Sequence, residues 1–97
     1  MDFDAVMEIV NMAPELIKIA IETGKHLKLD KAHGFIHKSE KVVIDGVHGW
    51  LVWDYILYNE ITFDEDGDDG RCISLFHSFS DQETEQVFDG YVKKYGV

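Results

Sequence analysis

Phe3, Val6, Met7, Val10, Ala13, Ile17, Ala20 and Ile21 recur at three- and four-residue intervals, which lays an apolar stripe along a helix over the first 23 or so residues. Pro14 falls inside that stripe. A proline within a helix removes a hydrogen bond at a cost of about 3 kcal/mol. The pattern therefore predicts either a kink or a second helix that Pro14 opens in its first turn, with a break near Asn11 to Ala13. Thr23 and Gly24 supply a stop, because Gly24 can take the left-handed conformation just past the last turn. Lys25 and Lys28 follow in a short basic linker.

From Phe35 the pattern turns to β, with short runs Phe35 to Lys38 and Lys41 to Asp45 separated by Ser39 and Glu40. Gly46 and Gly49 bracket a predicted turn. Trp50 to Tyr58 is apolar on both alternating faces apart from Asp54, as in a central strand covered on both sides. A buried helix is the alternative, but the aromatic and β-branched residues and the lack of a cap before Trp50 favour a strand. Ile61 to Phe63 reads as its continuation after a bulge at Asn59 and Glu60. Cys72 to Phe79 alternates, with Ile73, Leu75, His77 and Phe79 on one side and Cys72, Ser74, Phe76 and Ser78 on the other.

Ser80 and Glu83 form a capping box ahead of the stripe Val87, Phe88, Tyr91, Val92 and Tyr95. Lys93 and Lys94 suit the negative end of that helix, and Gly96 stops it. The predicted order is an N-terminal helix kinked or broken near Pro14, a three- to four-stranded antiparallel sheet and a C-terminal helix, an α+β layer over residues 1–97 as a single domain.

Composition supports a folded chain: 45% of the 97 residues are apolar, and there are six Phe, four Tyr, two Trp and one Pro. The lone Cys72 cannot form an internal disulfide, and the first residues lack the basic start and unbroken apolar run of a signal peptide. The expectation is a cytoplasmic protein. No apolar stretch nears the roughly 20 residues of a membrane span.

Charge changes the picture most. Residues 45–92 carry twelve acids against the single base Arg71, while residues 1–44 hold seven acids and six lysines, so the net charge of −10 sits in the second half. An acidic surface disfavours anionic lipid and direct nucleic-acid contact, and suggests a basic partner or a solubility role.

Several familiar chemistries fit the residues poorly. Asp64, Asp66 and Asp68 match the first ligand positions of an EF-hand loop, but position 6 is Asp69 where glycine is needed and position 12 is Leu75. An exposed hairpin turn using Gly67 and Gly70 fits better. His26, His33, His37, His48, His77 and Cys72 lack any paired metal-ligand motif. Cys72 and His77, five apart on a strand, should point to opposite faces and not meet. Asp54 could have a raised pKa if buried, yet one carboxylate makes no acid–base pair. Neither an enzymatic activity, a metal nor a cofactor is expected.

What remains is the acids themselves. Asp81, Glu85 and Asp89 fall at i, i+4 and i+8, which aligns carboxylates roughly 5 to 6 Å apart beside the buried stripe. Carboxylates on alternate strand residues lie roughly 6 to 7 Å apart, so such rows approximate the charge spacing of a nucleic-acid backbone. In size, acidity and lack of catalytic motif, with Asp64 to Asp69 and Asp81, Glu85 and Asp89, the chain resembles the small DNA-mimic proteins that phages use against host restriction or CRISPR nucleases. Those proteins share no sequence motif, and Lys18 to Lys41 departs from their more uniform acidity. The resemblance implies an inhibitor that occupies the groove of a basic nucleic-acid-binding protein or nuclease through Asp64, Glu65, Asp66, Asp68, Asp69, Asp81, Glu85 and Asp89. An acidic protein-binding module, such as a toxin-neutralising immunity protein or a subunit dimerising through exposed aromatics, is the alternative.

Overall fold

A computed structural model describes residues 1–28, 34–55, 57–67 and 70–97. Helix α1 (Phe3–Asn11) is capped by Asp2, whose carboxylate accepts the Ala5 N–H at 2.8 Å. Helix α2 (Ala13–Thr23) restarts immediately after Met12, with Pro14 in its first turn where an N–H is not needed. Gly24 ends it at φ 69°. The predicted break and stop are therefore both present.

Strands β1 (Leu27–Lys28), β2 (Phe35–Ile44), β3 (Val47–Tyr55), β4 (Asn59–Glu65) and β5 (Arg71–Ser78) form an antiparallel sheet in the order β1-β5-β4-β3-β2, and α3 (Asp81–Tyr95) closes the chain. This is the α+β layer expected, with the two-residue β1 added to four longer strands. The segment read as a basic linker supplies β1. One apolar core joins Val6, Val10, Ala13, Ile17 and Ala20 of the first two helices and Val87, Phe88, Tyr91 and Tyr95 of α3. The inward face of the sheet contributes Val42, Ile44, Leu51, Trp53, Ile61, Phe63, Ile73 and Leu75.

Local details differ from the pattern. The two runs around Ser39 and Glu40 are one ten-residue strand, β2, with a bulge at His37. The turn before β3 is Asp45-Gly46, both at positive φ (51° and 79°), the primed two-residue hairpin turn. Gly49 lies inside β3 instead, because a Cβ there would stand 2.5 Å from the Asp64 carbonyl and 2.7 Å from the Phe63 ring. Ile61 to Phe63 does not extend the preceding strand; the chain turns after Tyr55 and β4 pairs back on β3 from Asn59. In β5 a register shift opposite Ile61/Thr62 breaks the alternation, so Ile73 and Leu75 stay buried while His77 and Phe79 are exposed.

The free edge at β2 is short. Gly96 bridges to Val42, Val97 N–H donates to the Lys41 carbonyl at 3.4 Å, and the His37 bulge interrupts what remains. Tyr95 reaches from α3 to donate its hydroxyl to the Val10 carbonyl at 2.8 Å. Gly90 lets α1 approach, since a Cβ would meet Val10 Cγ2 at 2.9 Å. Among the described residues no helix is long and apolar enough to cross a membrane.

Candidate functional site

Both hairpin turns, 45–46 and 66–70, lie at one end of the sheet. Gly67 and Gly70 take positive φ there (111° and 61°), as the acidic turn requires. Its described carboxylates, Asp64, Glu65 and Asp66, are engaged. Arg71 forks onto Glu65, donating from Nε and, at 2.7 Å, from Nη2. Lys41 pairs with Asp66 while its ammonium stands 5.3 Å from the Trp50 ring centroid. Asp64 accepts the Thr62 hydroxyl at 3.2 Å and faces Cys72 across the β4–β5 pair. Burial first, then the hydrogen bond and negative charge of Asp64, push the Cys72 thiol up to about 12. Asp68 and Asp69, like His33, lie outside the described residues.

The register shift in β5 also corrects the relation of Cys72 to His77. Cys72 pairs with Asp64 and His77 with Glu60, so both lie on the face of the sheet away from the helices. Their partners stand four positions apart along β4, about 13 Å, so the two do not meet. Asp54 is buried on that face, opposite Ile36 and Glu60. Among the described residues no group of three His, Cys, Asp or Glu is placed to hold a metal.

The second acidic region starts at the opposite end of the sheet. Ser80 Oγ accepts the Glu83 N–H at 3.2 Å, fixing the start of α3. Asp81 Oδ1 accepts from Asn59 Nδ2 at 2.9 Å, and Asn59 begins the strand that ends at Glu65, about 20 Å away. The tip and the ridge are thus two regions and not one continuous row. Glu85 and Asp89 are exposed and pair with no group among the described residues.

At this same end the sheet presents apolar side chains that the pattern did not single out. Phe35, Leu57 and Phe79 are 81%, 84% and 86% exposed, with Tyr55 and Tyr58 beside them. Phe35 pairs with Tyr55, and Tyr58 makes edge-to-face contacts with Phe79 at 5.9 Å and His77 at 5.7 Å. Phe79 offered the one legible cue. It precedes the N-cap Ser80, where an apolar residue ordinarily packs on the fourth helical residue, but that residue is Thr84, so Phe79 has no staple partner.

Between this patch and α3 lies a notch of about 350 Å³ lined by His37, Trp53, Tyr55, Asn59, Asp81 and Glu85. Its floor is held rigidly. Trp53 Nε1–H donates to Asn59 Oδ1 at 2.9 Å, and Asn59 Nδ2 donates to the Ser78 carbonyl at 3.2 Å as well as to Asp81. No protein-family description, curated protein or solved structure matches the chain.

Proposed function

We propose that this chain is a non-enzymatic binding protein that holds a basic protein partner at its aromatic end. The carrying observation is the exposure of Phe35 with its cross-strand partner Tyr55, of Tyr58 with Phe79, and of Leu57 at this one end of the sheet, near Glu85, which has no partner among the described residues. Exposed apolar side chains gathered at one end of a molecule mark interaction surfaces, and aromatic residues supply most of the affinity at such surfaces. The net charge of −10 speeds encounter with a cationic partner and opposes approach of a second copy.

A second reading keeps the partner but changes the contact: occupation of the nucleic-acid groove of a binding protein or nuclease, as the DNA-mimic inhibitors of phages do. The ridge carboxylates Glu85 and Asp89, which have no partner among the described residues, favour it. The hairpin tip favours it less, because its described carboxylates already have partners within the chain.

Affinity capture from the native host, followed by binding measurements on the purified partner, separates the two. Loss of binding in Phe79→Ala with Leu57→Ser, and retention in Glu85→Gln with Asp89→Asn, supports the aromatic contact. The reverse pattern, with a steep dependence on salt and displacement of DNA or RNA from the partner, supports groove occupation. Concentration-dependent dimerisation lost with the aromatic variant would replace both with self-association.

A further inference from the structure

We infer that the notch between Tyr55 and the start of α3 receives a cationic side chain of the partner, an arginine guanidinium in particular. This rests on the proposed aromatic contact, which the notch adjoins through Tyr55. Of its lining, Tyr55, His37 and Glu85 are exposed and Trp53 is buried, and Glu85 has no partner among the described residues. A guanidinium can stack on an aromatic ring while its edge donates to a carboxylate, a pairing that an ammonium meets less well.

The chain already sets one cation against the Trp53 ring, although Lys38 does not itself line the notch. Lys38 Nζ lies 5.8 Å from the Trp53 ring centroid, the distance of a cation–π contact. The positive N-terminal end of α3 opposes a cation, but Asp81 and Glu83 in its first turn offset that field. The Asn59 network fixes Asp81 in place, so little ordering is needed when the guanidinium enters. The hairpin tip, with Glu65 and Asp66 already taken by Arg71 and Lys41, has less to offer the same group.

The test needs no partner protein. The tripeptide Ac-Gly-Arg-Gly-amide is titrated at low salt while the Trp53 indole and Asn59 side-chain amide signals are followed by NMR, against the neutral citrulline tripeptide. Saturable shifts at both groups with the arginine peptide, and affinity at least about fivefold weaker with citrulline, are expected. Glu85→Gln should weaken the arginine peptide about fivefold, and Lys38→Met should strengthen it. Asp89→Asn, the same charge change on the same ridge but outside the notch, should change it less than about twofold.

Equal binding of the two peptides, equal effects of Glu85→Gln and Asp89→Asn, or shifts confined to Asp64–Asp66 would overturn the inference. The spectra of the variants report folding directly. If the peptide seats in the notch while aromatic replacements leave the partner bound, the notch stands and the aromatic reading falls. If the peptide does not bind although Phe79→Ala releases the partner, only the notch falls.

Discussion

At the hairpin tip, Glu65 is gripped by Arg71 and Asp66 by Lys41, whereas Glu85 and Asp89 on α3 face solvent with no partner among the described residues. Both regions come from the same acidic half of the chain. The tip spends the only base of that half on its own Glu65 and borrows Lys41 from β2. These carboxylates help to hold the sheet together. Glu85 and Asp89 contribute no pairing among the described residues and repel each other along the helix, so what they offer is attraction for something outside the chain. Acid content alone does not separate these cases; the distribution of the few bases does.

The tip depends on close approach of β3 to β4, and the largest effect should come from breaking that approach. In Gly49→Ala the added methyl would meet the Asp64 carbonyl at 2.5 Å, and a backbone oxygen cannot swing aside. The expected cost is about 3 kcal/mol, read as a lowered urea midpoint and Tm. An unchanged midpoint would mean that β3 and β4 do not frame the tip as closely as described.

Arg71→Ala tests the pairing itself. Glu65 keeps only 13% of its side-chain exposure, so removing its guanidinium strands a largely buried carboxylate, at about 2 kcal/mol. The double variant with Glu65→Gln should recover part of that loss. Additive losses would show that the two side chains do not couple, and the tip would then resemble the ridge.

That contrast was only half legible in the sequence. The helices could be read because a stripe, Pro14, Gly24 and the Ser80–Glu83 cap are local signals, and local signals survive folding. The sheet face of each residue was harder. Asp45-Gly46 marks a hairpin, but the nearby Gly49 drew the turn too wide, and its real reason, contact with Phe63 and Asp64, is tertiary. The β5 register shift changed the face of His77, which no alternation pattern can foresee. The eight acids proposed as one surface were identifiable as acids, but their partners were not. Lys41 lies 25 positions from Asp66, and that pairing exists only because β2, β3 and β4 are neighbours. At the aromatic end Tyr55 and Tyr58 are legible as core or interface residues, but Phe35, Leu57 and Phe79 come from separate elements and only the fold brings them to the same end.

The strand beside the tip also carries a titration that appears at high pH. Below the ordinary thiol value of 9.0, Cys72 is neutral whether the chain is folded or unfolded. Between that and about 12 the unfolded chain ionises the thiol while the folded one, beside Asp64, does not. The proton-binding deficit of the unfolded state therefore makes stability fall as pH rises through this window, on the order of 1 kcal/mol by pH 10. Tyr91 and Tyr95, raised by burial, add loss of the same sign. Cys72→Ala should flatten the slope of urea stability against pH near 9 to 10; an unchanged slope would remove the buried thiol from the account.

The smallest expected effect bears most directly on the ridge. Glu85 lies four residues from Asp81 and four from Asp89, so Glu85→Gln relieves two like-charge pairs at once and should raise stability by about 0.5 kcal/mol at low salt. Screening should erase the gain at about 1 M salt, where the Debye length falls to roughly 3 Å. Neutralising Glu65 at the tip should have the opposite sign, because it removes a paired group. A loss of stability in Glu85→Gln, measured by urea titration at both salt concentrations, would mean that Glu85 has a structural partner. The ridge would then belong with the tip, and the charge left for a partner would shrink to Asp89.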